Sequence, residues 1–466
     1  EHAGGKSVFV FDQDGDGDRE VIIGQEQCDS LYYLENVGSA TEALFTAATA
    51  GFPDPNRPVN LAFPSLFSID FDHDGTQDLI ASTNSSFNMR NETDFSETVW
   101  TYTGEADGTF TFSQSNFLQG EMLDVGEAAI PLFADVDQDG DDDLLLSNWC
   151  NPGPDGLIAS LYLYENVGSQ SQPSYRLETE DFLGLSALGL TQLQVQATNL
   201  DANAQQDLLL FGRSGNQQQL FWAANSLTGE LNHTITAADL TSLNLSLSVG
   251  DVIWPVDVGS DGLPDLLVGK PQGRLEFYRN NGTLGAPLFE LFDNSFLEIG
   301  DDIFRRDRSV WTTDLDQDGR VDLLTADITG DVLIYYDLRS RLGAAGTADT
   351  LQLVIGEQLA GKVSLANKTW GAATLRGQDT DLVLGTRAGG LYWLRSSEAA
   401  PVNPGERLSF LAYPNPSTEL TLLRANAGYT LELWNLQGRQ LLVREISEQE
   451  EPGTIDFRTF PNGLYI

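Results

Sequence analysis

The 466-residue chain carries 69 acidic residues against 25 basic ones, a formal net charge of -44, and a pI near 4.1. Its overall field excludes nucleic acid or an anionic membrane surface as a partner, and no run of about 18 apolar residues is available to span a membrane as a helix. At 41% hydrophobic and 10% aromatic it can nonetheless bury a large core.

Asp outnumbers Glu by 43 to 26, and only 4 of the basic residues are Lys. Asp disfavours helix interiors and favours turns and cation loops. Taken in chain order, the sequence repeats one unit. A short apolar run ends at Phe11 and is followed by Asp12-Gln-Asp14-Gly-Asp16-Gly17-Asp18-Arg-Glu20, then by Val-Ile-Ile-Gly. The second copy is Asp70-Phe-Asp72-His-Asp74-Gly75-Thr76-Gln-Asp78, and the third is Asp135-Val-Asp137-Gln-Asp139-Gly140-Asp141-Asp-Asp143. A fourth, Asn199-Leu-Asp201-Ala-Asn203-Ala-Gln-Gln-Asp207, has lost acids. The fifth, Asp257-Val-Gly259-Ser-Asp261-Gly262-Leu263-Pro-Asp265, has a glycine in place of one. The sixth, Asp314-Leu-Asp316-Gln-Asp318-Gly319-Arg320-Val-Asp322, is complete, and the seventh keeps only Asp381 before Leu-Val-Leu-Gly.

The ninth-position acids recur at spacings of 58, 65, 64, 58, 57 and 59 residues. Downstream of each loop comes an aromatic run such as Leu31-Tyr-Tyr-Leu, Leu161-Tyr-Leu-Tyr or Leu275-Glu-Phe-Tyr, often closed by Asn-x-Gly. These apolar runs are four to six residues long, β-branched or aromatic, and bounded by Gly, Asn and Asp, so they read as strands. Four antiparallel strands per unit, seven times over, predict an all-β chain: a seven-bladed β-propeller at 1–395. The last unit lacks an evident fourth strand, which residues ahead of the first acidic loop could supply.

Within each loop, carboxylates on alternate positions turn into one concavity, glycine at position six permits the turn, position seven offers its carbonyl, and the acid at position nine completes the shell. Such an all-oxygen set suits Ca2+. The expected ligands are Asp12, Asp14, Asp16, Asp18 and Glu20; Asp70, Asp72, Asp74, Thr76 and Asp78; Asp135, Asp137, Asp139, Asp141 and Asp143; and Asp314, Asp316, Asp318, Arg320 and Asp322. A fifth set is Asp257, Asp261, Leu263 and Asp265, and Asn199, Asp201, Asn203 and Asp207 form a weaker sixth. An EF-hand is excluded, because that loop has twelve residues and flanking helices. The competing reading for any one copy is a metal-free Asp-Gly hairpin loop.

These units resemble the FG-GAP/VCBS repeat family, found in the integrin α-subunit propeller and in bacterial surface proteins. The resemblance implies Ca2+ on one face of the propeller and is uninformative about the partner. Residues 396–407 form a Pro- and small-residue linker. From 408 to 466, Tyr413-Pro-Asn-Pro416, a strand ending Leu-Gln-Gly438-Arg, and Pro461-Asn-Gly-Leu-Tyr resemble the type A C-terminal sorting domain of the Bacteroidetes type IX secretion system, a small β-sandwich. That resemblance implies the type IX secretion machinery as a partner, passage through the periplasm, and release at the cell surface or outside. Such domains continue through a further strand, so the sequence is expected to be trimmed at its end. The same setting makes Asp29-Ser30-Leu31 and Asp349-Thr350-Leu351 similar to O-glycosylation acceptors, with ordinary turn chemistry as the alternative.

Cys28 and Cys150 occupy equivalent turns of units one and three, either bridged or free. None of the three His has a zinc-type partner in sequence, and no nucleophile or phosphate-loop motif is present. The expected function is therefore non-enzymatic: adhesion to, or binding of, an extracellular glycan or protein. The alternatives are a structural subunit that packs against copies of itself and a polysaccharide-active enzyme. The binding surface is expected opposite the acidic loops, around 85–91 and 149–155, with Trp149 as an exposed stacking residue.

Overall fold

The computed structural model describes residues 5–395 except 86–87, 89–92, 121, 154–155, 202, 204, 343–347, 352, 356–357, 362–364 and 366–367. At 353–355 and 358–361 it describes strand backbone alone, as it does at 412–413, 419–422, 429–434, 440–446 and 454–456. The chain divides into two compact units, one of residues 1–352 and 362–397, the other of 353–361 and 398–466.

In the first unit each sequence repeat is one antiparallel sheet, here called a blade. Blade 1 comprises Lys6–Phe11, Glu20–Gln25, Tyr32–Asn36 and Phe45–Ala50, and blade 2 comprises Pro64–Ile69, Asp78–Thr83, Val99–Gly104 and Phe110–Gln114. The innermost strands of blades 3 to 7 are Ile130–Ala134, Thr191–Thr198, Val252–Val256, Ser309–Thr313 and Thr369–Arg376. In blades 1, 2, 3, 5 and 6 the acidic loop is the turn between first and second strands, and its register is tight: Phe11 pairs with Glu20, Ile69 with Asp78 and Ala134 with Asp143. Strand alternation then sends successive apolar residues to opposite faces of the sheet. In blade 3, Leu132, Leu145 and Leu163 face blade 4, while Leu144 and Leu146 face blade 7.

The energetic core lies between blades. Leu132 and Leu145 pack on Leu193 and Leu208; Phe211 and Trp222 of blade 4 on Ile253 and Tyr278; Phe277 of blade 5 on Val310 and Tyr335; and Trp311 of blade 6 on Leu382 and Leu384. Each such side chain contributes about 1.5–3 kcal/mol by leaving water. Blade 7 then packs back on blade 3, with Leu391 and Trp393 against Leu144, Leu146 and Tyr162. Backbone bonds seal that joint: the Ala129 N–H donates to Thr386 O at 2.9 Å and the Ala128 N–H to Arg387 O at 3.0 Å. Gly385 lies so close to the Ala129 carbonyl that a Cβ would collide with it, as a Cβ at Gly24 would with Pro64 and one at Gly269 with Arg308. The same close approach therefore joins blade 1 to 2, 5 to 6, and 7 to 3.

The all-β reading holds and seven sheets are present, but the ring closes over five of them, blades 3 to 7. Blades 1 and 2 form a separate packed pair in the same unit, around Ile22, Leu31, Leu66, Leu79 and Tyr102. A repeat period counts blades; it does not say which blade faces meet, and that depends on side-chain fit across each joint. Blade 7 has three strands among the described residues, and Lys6–Phe11 does not supply a fourth, because it is the innermost strand of blade 1.

The second unit contains a three-stranded sheet of Ala412–Tyr413, Glu419–Leu422 and Thr454–Asp456, a two-stranded sheet of Tyr429–Trp434 and Gln440–Ile446, and the hairpin Leu353–Ile355 with Gln358–Gly361.

Candidate metal centres and the opposite face

The acidic loops curl because their own carboxylates capture the backbone. In blade 3, Gly140 N–H donates to Asp135 Oδ2 at 3.2 Å, Asp139 N–H to Asp137 Oδ1 at 3.2 Å, and Asp141 N–H to Asp139 Oδ1 at 3.1 Å. The set recurs in blade 2 from Gly75, Asp74 and Thr76, and in blade 6 from Gly319, Asp318 and Arg320. In blade 1, Gly17 N–H donates to Asp12 and Asp18 N–H to Asp16. Position six has φ of +93° at Gly75 and +99° at Gly140, a region closed to most side chains. Position four is also left-handed, although His73, Gln138 and Gln317 are not glycine. The clamp of acceptors around it holds this less favourable conformation.

Three carboxylates are thereby gathered, with one oxygen each lying within 4.8 Å of the others, at Asp12/Asp14/Glu20, Asp70/Asp72/Asp78, Asp135/Asp137/Asp139 and Asp314/Asp316/Asp322. Buried Asp70 Oδ1 and Asp135 Oδ1 have no hydrogen-bond partner within the protein. An orphaned anionic oxygen beside two further carboxylates fits a hard divalent cation, which would supply the missing positive charge and draw the loop together. Burial, reinforced by neighbouring carboxylates, raises the Asp137 and Asp322 pKa values above the usual range. Burial pushes Asp143 up to about 6.

The loop at Asp257–Asp265 folds similarly, with Gly262 N–H on Asp257 and Leu263 N–H on Asp261. Glycine at 259 leaves it a carboxylate short, and it lies outside the four gatherings. In blade 4, amides take over: Asn199 Nδ2 donates to Asn203 O at 2.6 Å, Asn203 Nδ2 to Asn225 Oδ1, and Asn225 Nδ2 to Asp201 Oδ2 at 3.3 Å. In blade 7, Asp381 is met by Arg376 Nε at 3.1 Å and by the Trp393 indole N–H at 2.9 Å.

The sequence reading missed what position nine does. In blades 2 to 6, one oxygen of Asp78, Asp143, Asp207, Asp265 or Asp322 accepts the N–H of loop position two. The other accepts an N–H at the end of the third strand, at Gly104, Asn166, Asn225, Asn280 or Asp337. This acid bolts three strands together whether or not the loop keeps its other carboxylates. The signal was available: it alone persists through the degenerate copies.

At the opposite strand ends lies a second, charge-rich face. Among the described residues, Lys270, Arg274, Arg305, Arg308, Lys368 and Arg387 gather there. Buried Lys270 contacts Asp251 at 2.6 Å and Glu276 at 3.5 Å, and Arg308 and Arg305 share Asp327 at 3.2 and 3.0 Å. Lys368 lies over the rings of Trp149 and Trp370, and burial lowers its pKa to about 8 despite Asp307 nearby. Trp149, expected to be exposed, is buried and meets Trp370 edge-on at 5.6 Å. Of the expected loops, 86–87, 89–91 and 154–155 lie outside the described residues, while Asn88 joins the two by donating to Glu127 and Cys150. Cys28 and Cys150 are both free thiols, and burial beside Glu127 pushes the Cys150 pKa up. Ser30 is half-buried and donates to Asp29, and half-buried Thr350 pairs with Leu333 across a strand edge.

An FG-GAP-like repeat family matches residues 70–146 and 257–325, and the secretion system C-terminal sorting domain matches 411–466. The chain thus carries FG-GAP-like repeats and a sorting domain, which directs export through the type IX secretion system to the cell surface or extracellular space. No curated protein matches the chain. Among solved structures, a lectin of Agrocybe aegerita that recognises non-reducing terminal N-acetylglucosamine is 14% identical over 75% of this chain and 80% of its own, with a TM-score of 0.29. The Dos1 propeller is 10% identical over 85% and 91%, also at 0.29. No helix among the described residues is long and apolar enough to cross a membrane.

Proposed function

We propose that this is a calcium-stabilised surface propeller of a Bacteroidetes cell, acting without catalysis in adhesion or in binding an extracellular glycan or protein. The observation that carries this reading is the gathering of three carboxylate oxygens within 4.8 Å in each of four corresponding loops, on a chain that also bears an export domain. Calcium in those loops would stiffen one face of the blades and leave the opposite face for the partner. That face pairs indole rings with an ordered mixture of ammonium, guanidinium and carboxylate groups, which suits hydroxyl- and carboxylate-rich ligands. Its charges are engaged with one another, which favours rigid recognition over proton transfer.

The test is binding of the calcium-loaded full chain to a glycan array and to extracellular matrix proteins. Arg387→Ala and Arg305→Ala, at partly exposed positions, should weaken binding with the melting curve intact. Turnover of a polysaccharide, or binding that ignores both substitutions, would sink the reading.

A further inference from the structure

Equivalent positions of the two blade groups differ sharply in exposure. Three residues before the first loop Asp stands a side chain that faces the next blade. It is 6% exposed at Leu132 and 0% at Trp311, but 58% at Phe67 in blade 2. Four residues before that Asp stands one that faces the previous blade. It is 0% exposed at Ile253 and 2% at Val310, but 62% at Val8 in blade 1. Ile69 and Val10 extend the same two surfaces and are also exposed.

The blade pair therefore has a bare front on blade 1 and a bare back on blade 2, uncovered among the described residues. These are the two halves of one joint. Within the pair, the back of blade 1, with Phe9 and Phe11, already meets the front of blade 2, with Leu66, in a packed core. The missing contact is a continuation of that interface with the same chemistry on each side. We propose that the front of blade 1 in one copy of this chain docks on the back of blade 2 in a second copy, head to tail. Such a contact is heterologous, so it closes where the rotation permits: two copies complete a four-bladed ring and three a six-bladed one, both within the range of known propellers. Closure buries Val8, Val10, Phe67 and Ile69 and protects the innermost strands. Each chain carries -44 charges, so the contact should strengthen with salt and with calcium, which screen or neutralise that repulsion.

Light scattering of the calcium-loaded full chain over a wide concentration range tests this. The expected mass is a whole multiple of one chain, and Val10→Glu and Phe67→Glu should each give a folded monomer, because both sites are exposed in the single chain. Mixing these two variants should restore a dimer and nothing larger, since each retains the half that the other lacks. A wild-type monomer at every concentration overturns the proposal. So does an oligomer that survives both substitutions, a mixture that stays monomeric, or a mass of one chain plus a different protein. The calcium reading is judged separately, by metal content and melting.

Discussion

The loop of blade 3 and the hairpin of blade 7 present one backbone solution with two electrostatic ones. In blade 3, Asp135, Asp137 and Asp139 converge, and among the described residues no basic side chain pairs with them. In blade 7 the ninth-position acid, Asp381, remains fully buried, but Arg376 comes from the adjoining strand to meet it. Blade 4 lies between them, with amides of Asn199, Asn203 and Asn225 in place of excess charge. The strand geometry tolerates all three. A blade thus needs one buried acid to bolt its strands, and a cation only where further carboxylates accumulate around it.

Removing calcium should break this comparison most strongly. At 100-fold excess over Kd each site contributes about 2.7 kcal/mol, so excess EGTA should lower Tm by roughly 10–20 °C if four loops are filled. An unchanged melting curve would refute calcium stabilisation. Next, Asp207→Asn should cost about 2 kcal/mol, since one of two backbone N–H groups would lose its charged acceptor. It should leave bound calcium per chain unchanged by elemental analysis; a lost ion would return blade 4 to the metal-binding class. Asp137→Asn should do the reverse, removing one calcium per chain with a smaller loss of stability in EGTA than in calcium. Arg376→Met should lower Tm equally in calcium and in EGTA, because the cation it removes is covalent; restoration by calcium would show that blade 7 still holds a metal site.

The smallest effect concerns pH. Lys368 has a folded-state pKa near 8, below the ~10.4 of an unfolded lysine. Between those values the unfolded chain binds more protons, so stability rises with pH across that window. Urea unfolding at points between about pH 8 and pH 10 should show the rise in the wild type and its loss in Lys368→Met. An identical slope in both would assign it to other groups.

Much of this was legible in the sequence. The acidic loops announced themselves because ligand chemistry fixes spacing, and the strands because burial on both faces demands apolar runs such as Leu144-Leu-Leu146. The export domain was equally plain from Tyr413-Pro-Asn-Pro416. What stayed hidden depended on partners distant in sequence. Trp149 looked available because its neighbours are turn residues, yet Trp370 comes from another blade to cover it. Arg376 carried no sign of its role, since an arginine near a hairpin is ordinarily solvated. The closure of five blades rather than seven was invisible because Gly385 ends its strand much as Gly24 and Gly269 do, with nothing local to name Ala129 as its neighbour.

That last contact also sets an order of events. Gly385 and Ala129 are about 250 residues apart, so their meeting carries a large loop-closure entropy and comes late in folding. Blades 3 to 6 can stack pairwise as they appear, but until residues beyond 385 arrive they form an open arc with both ends bare. A chain cut within blade 7 would keep most of its sheets and lose its circle, a species prone to pair with whatever edge it meets. Because the sorting domain follows blade 7, a chain that has it in full has already made the strands that close the circle.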